Sequence, residues 1–380
     1  MYALTHCRFY TGYQQLDDHA LIIDGDTILA LVPESDLDPN IVQMDGQGLA
    51  AAPGFIDLQL NGCGGVMFND TITSQTLDRM HRTNLSSGTT SFLPTLITTT
   101  DAAMHEALEV VGRYRQDYPW RVPGLHLEGP YLNPERRGIH NAAHIRPADA
   151  TMVNHLVKKG PEVVKLITLA PEMVEAEVIK TLASAGIVVA AGHSAATFEQ
   201  ALAGFEAGVK MVTHLFNAMS PWLGRSPGLV GATLSRNDVY AGIIADGHHV
   251  HYGSIQLAQN IKPGKLILVS DATPPVGTTL DRFMIGGQEV FYRQGRCISA
   301  DGTLGGSALT LMAAVGNCVG QSGIVLEEAL RMATLYPAKA IGMDRALGLL
   351  APGYQANVVL FDPHRFTVKV TLDRGHPCYP

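Results

Sequence analysis

The 380-residue chain has no run of lysine or arginine, and charged residues make up only 16% of it. Its net charge of −8 at neutral pH argues against nucleic-acid and anionic-membrane partners, because both favour basic patches. No apolar stretch approaches the ~18 residues of a membrane span. The N-terminal MYALTHCRFYTG lacks the basic start and apolar core of a signal peptide. We therefore expect a cytoplasmic protein.

Cysteine is scarce and scattered. The five cysteines are odd in number and have no CxxC spacing, which argues against a disulfide framework and against a thiolate zinc site. A GxGxxG turn that opens a helix is also missing, so a dinucleotide-binding, doubly wound sheet is not favoured. The doubly wound sheet remains the alternative to a closed barrel.

Eight apolar segments of strand length follow one another through the middle of the chain, most of them separated by amphipathic helical stretches. They are GFIDLQL from Gly54, TSFLPTLI from Thr90, VPGLHLE from Val122, VVKLITLA from Val163, IVVAAGH from Ile187, KMVTHLF from Lys210, VYAGIIAD from Val239 and KLILVSD from Lys265. Eight such strands alternating with helices predict an α/β protein with a (β/α)8 TIM-type barrel. A β-hairpin over DRFMIGGQEVFYRQGRCIS and two closing helices are predicted to follow the eighth strand.

Both ends of the chain read as β-structure. HALIIDGDTILALV carries a DG turn between two strand-like segments, and PGYQANVVLFDP and FTVKVTLDRG are strand-like near the C-terminus. We expect residues 1–52 and 345–380 to pair into one small β-domain beside a barrel of residues 53–344.

Three candidate metal ligands end predicted strands. His193 and His214 end two consecutive strands, and Glu128 ends the third. In a barrel these ends meet at one face, where two imidazoles and a carboxylate can hold a divalent ion and leave a position for water. The alternatives are ordinary hydrogen-bonded histidines, and a Glu128 that pairs with Arg136 or Arg137.

Asp271 ends the eighth strand in LVSDATPP and faces the ligands across the predicted mouth. It could accept a proton from an attacking water and return it to the leaving atom. The alternative is an N-cap or Asx-turn for the loop that follows.

Asn217, Arg225 and His249 lie in loops beyond the strand ends and would together suit a phosphate group, which favours bidentate donors. The alternative for Arg225 is a solvated surface residue. His248 or His251 could point inward in place of His249.

At these residues the chain resembles the N-acetylglucosamine-6-phosphate deacetylase family of the amidohydrolase superfamily, over nearly its whole length. The matching blocks are PGFIDLQLNGCGG, FLPTLITT, GLHLEGPYLN, GIHN, LAPEM, AGHS, THLFNAM, GLVGA, GIIADGHHV, LVSDAT, GTLGGS, RMATLYPAKAIG and PGYQANVV. The resemblance implies a barrel with a small β-sandwich built from both termini. It also implies hydrolysis of N-acetylglucosamine 6-phosphate to glucosamine 6-phosphate and acetate.

Roles are carried over by motif. The resemblance implies Glu128, His193 and His214 as metal ligands, Asp271 as the catalytic acid and base, and His140 as the group that polarises the acetamide carbonyl. It implies a homodimer in which Arg225 reaches the partner's active site. The implied substrate-binding positions are Ile139, His140, Asn217, Ala218, Arg225, His249, Leu304, Gly305 and Gly306.

One departure from the wider superfamily concerns the metal count. Where many amidohydrolases have HxH at the end of the first strand, this chain has Gln59 and Asn61. Amide side chains are poor ligands for a borderline-soft ion, so we expect one divalent ion per subunit. Zinc is the first choice, and iron, cobalt, manganese and nickel also suit this donor set. Lys165 begins an apolar run and is interpreted as structural.

Two other functions are compatible with this sequence. Another amidohydrolase, acting on a cyclic amide or a free acetylated amine, would act without the 6-phosphate. A catalytically silent barrel that binds a phosphosugar would bind without releasing acetate.

Overall fold

The structure is a computed structural model that describes residues 1–380. Its N-terminal part consists of five strands: β1 (Tyr2–Tyr10), β2 (Gln15–Asp24), β3 (Thr27–Pro33), β4 (Gln43–Asp45) and β5 (Ala50–Pro53). The predicted DG turn joins β2 to β3. Gly25 adopts a φ of 56° there, a conformation that glycine reaches without steric cost.

Strands and helices then alternate through the barrel. In chain order they are β6 (Phe55–Leu60), β7 (Gly62–Cys63), β8 (Val66–Met67), α1 (Ser74–Leu85), β9 (Thr89–Ile97), α2 (Asp101–Asp117), β10 (Leu125–Glu128), α3 (Ala150–Lys159), β11 (Val164–Leu169), α4 (Ala176–Ser184), β12 (Val188–Ala191), α5 (Phe198–Ala207), β13 (Val209–Val212), α6 (Gly228–Ser235), β14 (Tyr240–Ile243), α7 (Tyr252–Ile261) and β15 (Leu266–Leu268). All eight predicted barrel strands are present.

The barrel strands pair in parallel in the order β6, β9, β10, β11, β12, β13, β14, β15. A parallel bridge between Leu60 and Ala272, with a hydrogen bond from the Asp271 N–H to the Gln59 carbonyl, joins the two ends of this sheet. The carboxyl ends of all eight strands therefore meet at one face. A core of 86 buried apolar residues surrounds the strands, and no helix is both long and apolar enough to cross a membrane.

Two segments after the barrel differ from the sequence prediction. The predicted hairpin is a three-stranded antiparallel sheet of β16 (Arg282–Ile285), β17 (Gln288–Arg293) and β18 (Arg296–Ser299). The extra turn forms at Gln294 and Gly295, which both have positive φ, as a two-residue hairpin turn requires.

The closing helices number three: α8 (Leu311–Ser322), α9 (Leu326–Ala333) and α10 (Leu335–Ala340). The second predicted helix is interrupted at Thr334, whose φ of −129° is not helical. Pro337 explains the interruption, because a proline in the interior of one continuous helix would lack an N–H and clash with the preceding turn.

The chain ends in β19 (Val358–Asp362), β20 (Thr367–Asp373) and β21 (His376–Cys378), which join β1 to β5 in one eight-stranded sheet. The sheet branches at β1, which pairs with β2, β4 and β5. Its apolar side chains form a separate core of 13 buried residues. The predicted fold class, a TIM-type barrel with a small β-domain from both termini, is confirmed; the exact boundaries at residues 52/53 and 344/345 stay a prediction.

Candidate active site

A cavity of about 290 Å³ opens at the carboxyl ends of the barrel strands. Most of the residues predicted for the site line it: Asn61, Glu128, Ile139, His140, His193, His214, Asn217, Ala218, His249, Asp271, Leu304 and Gly306. They come from strand ends and loops far apart in the chain, as is usual for active sites in this fold.

The three predicted metal ligands converge on one point. Glu128 Oε1 lies 3.2 Å from His193 Nε2 and 3.0 Å from His214 Nε2, and the two Nε2 atoms are 3.1 Å apart. All three residues are at least 95% buried. Tetrahedral ligands at ~2.0–2.1 Å from a zinc ion lie about 3.3 Å from one another, so these atoms have nearly the spacing that such an ion requires.

The surroundings of these residues also fit a divalent ion. His193 Nδ1 lies 2.8 Å from the Arg136 carbonyl and donates to it, so its Nε2 carries the lone pair that a ligand needs. Burial alone raises the pKa of Glu128, but the neighbouring side chains of His193, His214 and His140 lower it well below its ordinary value, so the carboxyl is ionised. Glu128 is not paired with Arg136 or Arg137; its carboxylate contacts the histidines and the Gln59 amide.

His140 is a fourth group beside these ligands. Its Nε2 is 4.0 Å from Glu128 Oε2, and its ring centroid is 4.3 Å from that of His193. Glu128, His140 and His193 also have potential ligand atoms within 4.8 Å of one another. Burial lowers the pKa of His140 to about 3, so the imidazole is neutral. The shorter distances from Glu128 to His193 and His214 favour the predicted ligand set.

Asp271 also lines the cavity. Its Oδ1 accepts a hydrogen bond of 2.6 Å from Asn61 Nδ2, and no backbone N–H bonds to its carboxylate, so the N-cap and Asx-turn alternatives are not what the structure shows. Burial and the nearby Glu128 raise the pKa of Asp271 to about 6. A carboxyl with a pKa near neutrality is suited to accept and then donate a proton.

Several site residues have strained backbones. His193, His214 and Asp271 have φ values of 48°, 31° and 51°, and Ala218 has 49°. Residues other than glycine rarely adopt this left-handed conformation, and it concentrates at functional sites. The turns at His193, His214 and Asp271 bring these side chains to the cavity two or three residues after a barrel strand ends.

Two of the three residues predicted to bind phosphate, Asn217 and His249, line the cavity. His249 Nδ1 is 2.7 Å from Asp246 Oδ2, while Asp246 Oδ1 accepts the backbone N–H groups of His248 and His249, both at 2.8 Å. Burial alone raises the pKa of Asp246, but the contact with His249 holds it below the ordinary value. The ionised carboxylate therefore keeps a proton on Nδ1 and fixes the ring. Among the three neighbouring histidines, His249 is the one that lines the cavity.

Two predicted substrate positions do not line the cavity. Gly305 is buried behind it, where an added Cβ would meet Val290 and Ile139. Arg225 is exposed on a loop that also exposes Trp222 and Leu223, by 57% and 58%.

Other residues that hold the site together were not predicted from the sequence. Thr98 Oγ1 lies 2.8 Å from His140 Nδ1 and 3.2 Å from the Glu128 carbonyl. The Glu172 carboxylate bonds to three groups in the neighbouring loops. Thr98 comes directly after β9, and Glu172 lies three residues beyond β11. Their positions at the ends of barrel strands could have identified both residues from the sequence.

Comparison with known proteins identifies the family. Residues 50–376 match the model of the amidohydrolase family, and residues 1–50 match the NagA composite domain. The chain therefore belongs to the amidohydrolase family.

Individual amidohydrolases are similar to this chain over almost its whole length. It is 43% identical to N-acetylglucosamine-6-phosphate deacetylase of Haemophilus influenzae, with 96% of both chains covered. It is 34% identical to N-acetylgalactosamine-6-phosphate deacetylase of Escherichia coli O157:H7, with 93% of both covered. The crystal structure of N-acetylglucosamine-6-phosphate deacetylase from Pasteurella multocida superimposes with a TM-score of 0.97 at 44% identity, covering both chains completely. The resemblance inferred from the sequence is confirmed.

Proposed function

We propose that this amidohydrolase hydrolyses the acetamide of N-acetylglucosamine 6-phosphate to glucosamine 6-phosphate and acetate. The observation that carries the proposal is the convergence of Glu128, His193 and His214 on one point of a cavity that Asp271 and His140 also line. Proteins named N-acetylglucosamine-6-phosphate deacetylase are similar to this chain over nearly its whole length. One divalent ion per subunit, with zinc as the first choice, completes the proposed site.

The divalent ion, held by Glu128, His193 and His214, would supply Lewis-acid chemistry when bound, lowering the pKa of a water and polarising the acyl carbonyl. Asp271 accepts the proton of the attacking water. His140 donates its single N–H to the carbonyl oxygen as negative charge develops there. Asp271 then gives the proton to the leaving nitrogen, so the same carboxyl serves as base and as acid.

The far end of the cavity would hold the sugar phosphate. We assign this end to His249, whose ring Asp246 fixes, and to Asn217 and Ala218. Leu304 and Gly306 also line the cavity, and Gly305 is buried behind it. Arg225 is exposed beside Trp222 and Leu223, so we propose that a homodimer covers this loop and that Arg225 binds the phosphate in the partner's site. A cytoplasmic location stays a prediction from the sequence.

Acetate release from N-acetylglucosamine 6-phosphate and from unphosphorylated N-acetylglucosamine, with metal content measured on the same sample, tests the reaction. We expect release from the phosphorylated sugar and about one ion per chain. Asp271→Asn should keep the ion and lose turnover by at least a hundredfold. Absence of release by fully metallated protein, or an active Asp271→Asn variant, would contradict the proposal.

Arg225→Ala tests the shared site. It should mainly raise KM for the phosphorylated sugar, because the phosphate contact is made throughout the reaction. Mixing Arg225→Ala with inactive Asp271→Asn should restore activity at low substrate, since the mixed dimer pairs an intact Asp271 with a partner's Arg225. If the mixture shows no more activity than Arg225→Ala alone, the arginine does not cross the interface.

N-acetylgalactosamine 6-phosphate is a second candidate substrate, favoured by the similarity to the E. coli O157:H7 enzyme. The two sugars differ only in the configuration at C4. A ratio of kcat/KM values measured with both sugars decides between them, and a higher value for the galactose epimer would replace the first assignment.

A further inference from the structure

The end of β6 reaches both carboxylates of the site through two amide side chains. Gln59 Nε2 donates to Glu128 Oε1 at 3.0 Å, and Asn61 Nδ2 donates to Asp271 Oδ1 at 2.6 Å. All four residues are at least 91% buried. Gln59 and Asn61 are two positions apart on one extended segment, so their side chains emerge on the same face, toward the mouth of the barrel.

The direction of these hydrogen bonds follows from the chemistry of the partners. An ionised carboxylate only accepts hydrogen bonds, so each amide must present its NH₂ group to it. Each bond is charge-assisted and lies in a dry environment, where such bonds are strongest. Glu128 and Asp271 carry like charges in one cavity, and each is held by a separate donor from β6.

The backbone of β6 supports the same arrangement. The Asp271 N–H bonds to the Gln59 carbonyl at 2.9 Å, and the Asn61 N–H bonds to the Ala272 carbonyl at 3.0 Å. These bonds fix the left-handed turn at Asp271, and the amide of Asn61 then fixes the carboxylate itself.

The unused end of the Asn61 amide argues against a purely structural role. Asn61 Oδ1 is buried and has no hydrogen-bond partner in the chain. A buried asparagine retained only for packing usually has both ends of its amide paired. The bond to Asp271 is the one hydrogen bond that the Asn61 side chain makes.

We propose that Gln59 and Asn61 are positioning residues that divide the work of orienting the site, Gln59 holding Glu128 for the metal and Asn61 holding Asp271 for proton transfer. With Oδ1 occupied by Asn61, the Oδ2 atom of Asp271 is left to exchange the proton. The assignment rests on the proposed roles of Glu128 and Asp271. It goes beyond reading these amides as missing metal ligands, because it gives each of them a separate task.

The two tasks predict opposite effects for two variants. Gln59→Ala should weaken Zn²⁺ binding about tenfold or more, measured by competition with a chromophoric chelator, because partners that orient a ligand typically contribute this much. Its kcat with saturating zinc should change far less. Asn61→Ala should leave zinc affinity within about threefold and lower kcat about tenfold or more, with KM nearly unchanged.

Isosteric variants and a structural control sharpen the test. Gln59→Glu and Asn61→Asp keep the shape but lose the N–H donors, so each should show at least the defect of its alanine variant. Asn357 is a buried amide of the β-domain that accepts the Arg374 N–H. Asn357→Ala should lower the thermal midpoint and change neither zinc affinity nor kcat. Wild-type kcat in Asn61→Asp would overturn the role of Asn61, and equal changes of affinity and kcat in both alanine variants would overturn the division.

Two readouts do not depend on the substrate. Zinc affinity of Gln59→Ala is measured without any sugar, and a crystal structure of Asn61→Ala shows directly whether Asp271 leaves its present rotamer. Unchanged zinc affinity or an unmoved Asp271 would overturn the proposal. If the wild-type chain releases no acetate but both readouts change as expected, the proposed reaction is wrong and the positioning roles stand.

Discussion

At the scale of single residues, the tautomer of the neutral His140 ring depends on one hydroxyl group. The neutral imidazole carries one proton, and only an N–H at Nε2 can donate to a substrate carbonyl. That tautomer requires Thr98 to donate its hydroxyl proton to Nδ1, across the 2.8 Å contact. If Thr98 donated to the Glu128 carbonyl at 3.2 Å instead, Nε2 would carry a lone pair. The proposed donation from His140 Nε2 therefore requires the Thr98 hydroxyl to donate to Nδ1 and not to the Glu128 carbonyl.

Replacing Thr98 tests this role. Thr98→Val removes the hydroxyl and leaves both tautomers of His140 available, so kcat should fall about tenfold or more, with KM nearly unchanged. Thr98→Ser keeps the hydroxyl and should retain most of the activity, which separates the hydrogen bond from packing. Steady-state acetate release measures both parameters. Equal kcat in the valine and serine variants would remove Thr98 from the mechanism.

Sequence patterns could predict site residues only where the residue type carries the chemistry. His193, His214 and Glu128 stood out because imidazole and carboxylate groups at strand ends suggest a metal. Thr98 and Glu172 did not, because a threonine hydroxyl or a loop carboxylate acts here through partners that are distant in the chain. Thr98 meets His140 across 42 positions, and only the folded barrel brings them together.

At the scale of elements, one carboxylate joins the loops that follow three neighbouring barrel strands. Glu172, beyond β11, accepts Ser194 Oγ and the Ala195 N–H, both at 2.6 Å, from the loop after β12. It also accepts Asn133 Nδ2 at 2.9 Å from the loop after β10. The Asn133 N–H in turn bonds to the His193 carbonyl at 3.0 Å. The strained turn of His193 is thus held from both sides.

Glu172→Ala should therefore weaken zinc binding about tenfold, because His193 would no longer be held in its ligating position. Chelator competition measures the affinity. Glu175→Ala is a matched control, since Glu175 lies on the same loop, is exposed and makes no side-chain capping bond. Unchanged affinity in Glu172→Ala, or an equal loss in the control, would show that the Glu172 contacts do not position His193.

The periodicity of the sequence predicted the elements well where one pattern dominated. The eight barrel strands are continuous apolar runs, and each of them is present. The segments after β15 were harder, because their outcome depended on single residues. Gln294 and Gly295 turned one hairpin into three strands, and Pro337 divided one predicted helix into α9 and α10.

At the scale of the whole molecule, a buried ion cluster joins the β-domain to the barrel. Asp373 ends β20, and its Oδ2 lies 3.1 Å from His81 Nε2 on α1 and 2.8 Å from Arg121 Nη2 before β10. Nearby, Thr371 of β20 donates to the Leu85 carbonyl of α1 at 2.7 Å. Burial alone raises the pKa of Asp373, but His81 and Arg121 hold it below the ordinary value. The cluster therefore ties the stability of the molecule to pH.

Because the folded pKa of Asp373 is depressed, its contribution to the free energy of unfolding is present above the unfolded pKa of about 3.9 and is lost as pH falls through the folded value. Asp373→Asn should lower the free energy of unfolding at pH 7 by about 2 kcal/mol, since it leaves Arg121 without its charge partner. The difference from wild type should shrink below pH 4, where protonated aspartic acid resembles asparagine. Urea unfolding at several pH values measures this.

Asp281→Asn is the control, because the Asp281 side chain is 81% exposed and should show almost no effect at any pH. If Asp373→Asn lowers the free energy of unfolding by the same amount from pH 7 to pH 3, packing and not charge joins the β-domain to the barrel. A loss that appears only at neutral pH would show that a single carboxylate couples the β-domain to the barrel, since neither α1 nor β20 changes its apolar contacts in this variant.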